Sequence, residues 1–246
     1  MRRAALLVGT VVALAGCGGS THTVTTTTTA PQWTHVRVYF LYNGKVQPVS
    51  RFVRASEPAW LGAWKDLAVG PTGETPPGPG VSTGMFDFKG PWTLGLTSDD
   101  LLSLSTVELP RAFLAQTVYT LSQFAPAHQV VVNGRRYRRS DFEDFTPAIL
   151  VESPLPEQRV TRPLLATGTA NTFEATFEYE LLDSADTVLA KHFVTATSGS
   201  GTRGAFEFAV PYPAGHAGPG TLVVYESSAK DGSRINVVPI PIRLTD

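Results

Sequence analysis

The chain has 246 residues, 42% of them apolar, which is enough for one or two globular domains of about 100 residues each. Twenty Lys+Arg against 21 Asp+Glu leave a net charge of -1, so no global positive field draws the chain to nucleic acid. Charged residues make up only 17%, while Gly (22) and Pro (19) are plentiful, a balance that favours turn-rich β structure over helical bundles.

The N-terminus has the layout of a secretory signal. Arg2 and Arg3 form a basic head, residues 4–15 are an apolar run, and Leu14-Ala15-Gly16-Cys17 supplies small residues before a cysteine. The apolar run is too short to cross a bilayer core of about 30 Å as a helix. Cys17 is the single cysteine, so no disulfide forms within one chain, and an odd cysteine in an exported protein needs another role. Leu-Ala-Gly-Cys resembles the bacterial lipobox. That resemblance implies cleavage before Cys17, lipidation of its thiol with palmitate-type acyl chains, and an extracytoplasmic protein anchored to the cell membrane. Residues 1–17 are thus read as signal peptide and lipobox. Residues 18–32, with threonine from Thr25 to Thr29, are read as a Thr/Gly-rich tether with too little apolar surface to fold.

From Trp33 the pattern becomes that of a folded domain. Residues 36–42 read as a strand, Asn43-Gly44 as a hairpin turn and residues 46–53 as the returning strand. Ser56-Glu57-Pro58 opens a helix in which Trp60, Leu61, Trp64, Leu67 and Ala68 recur at helical spacing, and Gly70-Pro71 ends it. Residues 72–84, rich in Pro and Gly, read as a loop. Short strands are expected at 94–96 and 101–107, a helix over 111–124 with Phe113, Leu114, Thr117, Val118, Leu121 and Phe124 on one stripe, and a strand at 129–132 before the turn Asn133-Gly134. Residues 33–140 are therefore an α+β domain.

After Pro147 everything reads as β. Candidate strands lie at 148–152, 164–170, 173–182, 188–197, 205–210, 220–228 and 236–243, separated by turn chemistry such as Asp183-Ser184-Ala185-Asp186 and Lys230-Asp231-Gly232. Seven short strands in about 100 residues fit an all-β immunoglobulin-like sandwich over 147–246, without the cysteine bridge. Phe173, Phe177, Tyr179, Phe193, Phe206, Phe208, Tyr212 and Tyr225 are its candidate core or edge aromatics.

Several stretches resemble a known pair of bacterial envelope domains. Residues 36–41, Leu67-Ala68-Val69-Gly70-Pro71-Thr72 and residues 115–124 (AQTVYTLSQF) look like the sporulation and spore germination domain called GerMN. Glu152-Ser153-Pro154-Leu155-Pro156, Gly168-Thr169-Ala170, residues 173–177 (FEATF) and residues 225–233 (YESSAKDGS) look like the bacterial spore germination immunoglobulin-like domain often found beside it. The resemblance implies an α+β domain similar to ring-building motifs followed by a β-sandwich, usually on lipid-anchored proteins, and it implies no enzyme activity.

The chemistry-bearing residues agree. Gly80-Val81-Ser82-Thr83-Gly84 matches G-x-S-x-G, but Pro76-Pro77-Gly78-Pro79 cannot supply the strand that a nucleophile elbow needs, and no helix pattern follows. His22, His35, His128, His192 and His216 are scattered singly, without the local spacing of a zinc site. Asp99-Asp100 sit adjacent, which on a strand points them apart. No catalytic residue, metal or cofactor is expected. One charged cluster stands out: Arg135, Arg136, Arg138 and Arg139 surround Tyr137. It could grip an anionic partner, or pair with Asp141, Glu143 and Asp144 to fix the angle between domains. The expectation is a non-catalytic, membrane-anchored scaffold acting through an envelope protein or self-association, with edge strands as the route; the alternative is a cell-wall glycan-binding module using exposed tryptophans.

Overall fold

Apolar side chains at the alternate positions 36, 38 and 40 give a buried face to the first hairpin, β1 (Trp33–Tyr42) and β2 (Lys45–Arg54), closed by Asn43-Gly44. Both turn residues have positive φ (49° and 74°), the geometry that an Asn-Gly two-residue turn supplies. In this computed structural model, residues 32–71, 92–96, 101–125 and 128–246 are described. Cys17, His22, the tether expected through Pro31, the loop expected at 72–84 with Ser82, and Asp99-Asp100 lie outside them.

Val36, Val38 and Phe40 of β1 face Trp64 and Leu67 of helix α1 (Ala59–Val69) in the first core. The helix comes close because residue 62 is glycine: a Cβ there would stand 2.5 Å from the Cβ of Val53. Strands β3 (Trp92–Leu96), β4 (Leu102–Thr106), β5 (Gln129–Val132) and β6 (Arg135–Arg138) form a four-stranded sheet in that order. Its β4–β5 pair is parallel, and helix α2 (Arg111–Ser122) lies in the crossover between them. The sequence stripe on α2 captured only part of its burial. Phe113 and Leu121 enter the first core, while Ala115, Val118 and Tyr119 enter a second cluster with Tyr39, Phe142 and Leu150. A helix buried on two sides carries no single apolar stripe.

The edge of β1 is closed by α2 and the residue after it. The Tyr39 amide donates to Thr120 Oγ1 at 3.0 Å, and the Gln123 side chain accepts from the Arg37 amide (3.3 Å) and donates to the Arg37 carbonyl (2.7 Å). These bonds use up backbone groups that would otherwise invite another strand.

A 3₁₀ segment, Arg139–Phe145, leads into the β part: β7 (Ile149–Ser153), β8 (Arg159–Val160), β9 (Leu164–Ala170), β10 (Thr176–Asp183), β11 (Val188–Thr195), β12 (Gly204–Val210), β13 (Gly218–Ser227) and β14 (Arg234–Leu244). One sheet has the order β12-β9-β7 and the other β11-β10-β13-β14-β8. The two enclose a core of Phe177, Leu181, Phe206, Leu222, Val224, Ile240 and Ile242, with Phe177–Phe206 and Tyr179–Phe208 ring centroids each 4.9 Å apart. Two details differ from the sequence reading. The strand expected from residue 173 starts at Thr176, because Glu174 and Ala175 turn the chain with φ of 52° and 59°. The two-residue β8, paired in parallel with β14, was not expected; it is too short to show a period.

Candidate interaction surfaces

Among the four arginines of residues 135–139, Arg139 is set apart from Arg135, Arg136 and Arg138. Arg139 is drawn inward to Glu152, with Nη1 2.7 Å from Oε1, and its side chain keeps only 24% of its exposure against 14% for Glu152. The same guanidinium donates to Ser122 Oγ (2.8 Å) and the Tyr119 carbonyl (3.1 Å), and it lies over the rings of Tyr39 and Tyr119 at 5.1 and 4.8 Å. The Tyr39 hydroxyl donates to Glu152 as well. Burial opposes ionisation of Glu152, but Arg139 and the Tyr39 hydroxyl outweigh it and hold the carboxyl below its ordinary value. Burial drives the Tyr39 hydroxyl far upward, so it stays a donor.

The expected pairing with Asp141, Glu143 and Asp144 is therefore replaced by other partners. Asp141 accepts the Arg138 amide (2.8 Å), Arg111 takes Asp144 (2.7 Å), and Arg203 grips Glu143 through Nε (3.0 Å) and Nη2 (2.8 Å) while donating to the Pro147 carbonyl (2.7 Å). Burial raises the pKa of Glu143, and the bonds from Arg203 and Asn171 more than offset it, lowering it overall. Arg139–Glu152 and Arg203–Glu143 thus clasp the α+β elements to the sandwich within the compact unit Gln32–Asp246. Arg135, Arg136 and Arg138 stay exposed on β6, an edge of the four-stranded sheet, where a row of like charges resists pairing with another chain.

The sandwich has a different edge at β11. Its residues are mostly exposed, it pairs only with β10, and it contains no proline. Val188 and Phe193 are 52% and 61% exposed. Its single cation does not guard the edge, because Lys191 Nζ turns to Glu180 Oε1 at 3.0 Å. Glu180 is buried and also receives Arg234 (2.6 Å), which lies over the Tyr225 ring at 4.4 Å; the Tyr225 hydroxyl bonds to Glu178 and Glu180 at 3.0 and 3.1 Å. Burial raises the pKa of Glu180, but the cations and Tyr225 prevail and lower it overall. This network fills the middle of the outer face. Sequence reasoning missed it because the four side chains come from four strands, and only register places them together; the alternation of Glu178 and Glu180 was the one local signal.

The histidines end up apart, while three of the four tryptophans share the first core. His35 packs on Phe52 (5.5 Å) and bonds Ser50 (2.8 Å), and burial followed by Arg37 lowers its pKa. His128 touches the Ser122 carbonyl, His192 its neighbour Phe193, and His216 Asp183 (3.4 Å). Among the described residues no group of three His, Cys, Asp or Glu converges as metal ligands. Trp64 is fully buried and meets Trp92 edge-on at 6.0 Å, Trp60 packs against the same core, and Trp33 is 53% exposed.

With two stacked sheets and these hairpins in place, the comparison with known families falls on the second half of the chain. Residues 148–233 match the immunoglobulin-like domain of bacterial spore germination. No curated protein and no solved structure matches this chain. The matched span of this immunoglobulin-like domain runs from β7 to the Asp231-Gly232-Ser233 turn, so it contains β11 and three of the four strands behind the Glu180 network. Chemically, that surface offers backbone amides and carbonyls along β11 beside exposed apolar side chains, which is what an added strand requires, with His192 Nδ1 already on the amide (2.9 Å) and carbonyl (3.0 Å) of Phe193.

Proposed function

We propose that this protein is a non-catalytic, membrane-anchored envelope lipoprotein that acts as a scaffold by accepting a strand of a partner protein along β11. The observation that carries the reading is the contrast among four edges: β1 is closed by Thr120 and Gln123, β6 carries three arginines, β8 is two residues long, and β11 is long, exposes Val188 and Phe193, and has its backbone met by a side chain only where His192 touches Phe193. The lipobox resemblance at Cys17 supports the anchor, and the match of residues 148–233 supports an envelope setting. Helices packed on short strands in residues 33–138 support reading that half as a GerMN-like domain similar to ring-building motifs. The placement of the tryptophans weighs against a glycan groove, since Trp60, Trp64 and Trp92 serve the core. A cross-linked pull-down from intact envelopes tests the proposal with wild type, Cys17→Ala and Phe193→Lys. A defined protein recovered with wild type and lost in both variants supports it. Recovery of wall glycan that survives protease and ignores both substitutions overturns it.

A further inference from the structure

The outer face of the β1–β2 hairpin is not used by the surface on β11. Register pairs Trp33 with Arg54, His35 with Phe52 and Arg37 with Ser50, so these six side chains share one face, opposite the buried Val36, Val38 and Val53. Trp33 and Phe52 are 53% and 64% exposed, and Arg54 lies over the Trp33 ring at 5.8 Å. Large aromatics with adjacent arginines are the side chains that settle at a bilayer's headgroup layer, where ring and charge are both accommodated.

Charge along the chain points the same way. All 21 Asp and Glu residues lie beyond Ser56, while the stretch from Cys17 to Ser56 holds Arg37, Lys45, Arg51 and Arg54 and no acid. Of these, Lys45 bonds the Asp144 carbonyl and Arg51 lies 3.9 Å from Asp66, while Arg37 and Arg54 belong to the outer face of the hairpin and give it a positive charge that favours an anionic surface. Burial and the nearby Arg37 lower the pKa of His35, so the cations of this face are Arg37 and Arg54. The face also begins one residue after the tether read from the sequence.

We infer that the Trp33–His35–Phe52–Arg54 face docks on the anionic lipid headgroups of the membrane to which the protein is anchored and so fixes the orientation of the folded body on that membrane. This inference rests on the lipid-anchor reading. The mature protein, isolated from membranes, is reconstituted in vesicles of phosphatidylcholine alone or with phosphatidylglycerol, each with acyl chains brominated near the headgroup. Tryptophan fluorescence is the readout. Quenching is expected in the anionic vesicles, lost in Trp33→Phe and lost in the double variant Arg37→Gln/Arg54→Gln, whose far-ultraviolet spectrum checks folding. Acylated protein whose fluorescence is unquenched, or is quenched equally after Trp33→Phe, overturns the docking while leaving the anchor intact. A mass without acyl groups at Cys17 overturns both.

Discussion

Replacing Arg139 by methionine keeps most of the side chain's apolar bulk and removes its guanidinium. Glu152 then loses its 2.7 Å ion pair and keeps the Tyr39 hydroxyl and the charge of Arg37, in a place where 14% of the carboxylate side chain reaches solvent. Ser122 Oγ and the Tyr119 carbonyl lose a donor, and two aromatic rings lose a cation within about 5 Å of their centres. Removing one member of a buried pair costs about 3 to 5 kcal/mol, and the residual exposure of this pair argues for the lower end, about 3 kcal/mol. For a chain of this size that is a fall of roughly 10 °C in Tm. The variant Arg139→Met/Glu152→Met leaves no stranded charge and recovers about 2 kcal/mol of the loss. Urea unfolding followed by circular dichroism measures all three. The pH dependence has a definite sign. Because the folded-state pKa of Glu152 is lowered, its contribution is present above the unfolded carboxyl value of about 4.3 and is lost as pH falls through the lower folded value, so the gap between wild type and Arg139→Met narrows in acid. A single-variant loss below about 1 kcal/mol, or a double variant as unstable as the two singles added, refutes the clasp.

Gly168→Ala should lower Tm by more than 10 °C or prevent folding, since its Cβ would stand 2.1 Å from the Leu150 carbonyl oxygen, a backbone atom within the β7–β9 pair. Gln123→Ala strands the Arg37 amide and carbonyl at the β1 edge and should cost about 1 kcal/mol in urea unfolding. Val188→Lys and Phe193→Lys change exposed side chains on β11, so stability should stay within about 0.5 kcal/mol of wild type while partner recovery falls; equal recovery would remove β11 from the account.

Much of the fold was legible because its signals are local. Asn43-Gly44 and Asn133-Gly134 marked two of the hairpin turns, Gly70 ended α1, and period-2 alternation placed the sandwich strands within a few residues. What stayed hidden depends on pairing across long sequence separations. Nothing near Arg139 indicated that it would choose Glu152 over Asp141, because that choice follows from the position of Tyr39, 100 residues away. The short β8 and the turn at Phe173–Ala175 were equally hidden, the first by its length and the second by non-glycine residues at positive φ. The edge character of β11 was foreseeable only in general terms; its lack of a guard appears once Lys191 is seen turned into the Glu180 network.

The most direct test of the scaffold account places a photo-cross-linking amino acid at position 193 and irradiates intact cells. The account predicts a discrete protein adduct, either a partner or a second copy, that disappears with Val188→Lys and with Cys17→Ala. Adducts confined to wall glycan, or a discrete protein adduct unchanged by both substitutions, would contradict it.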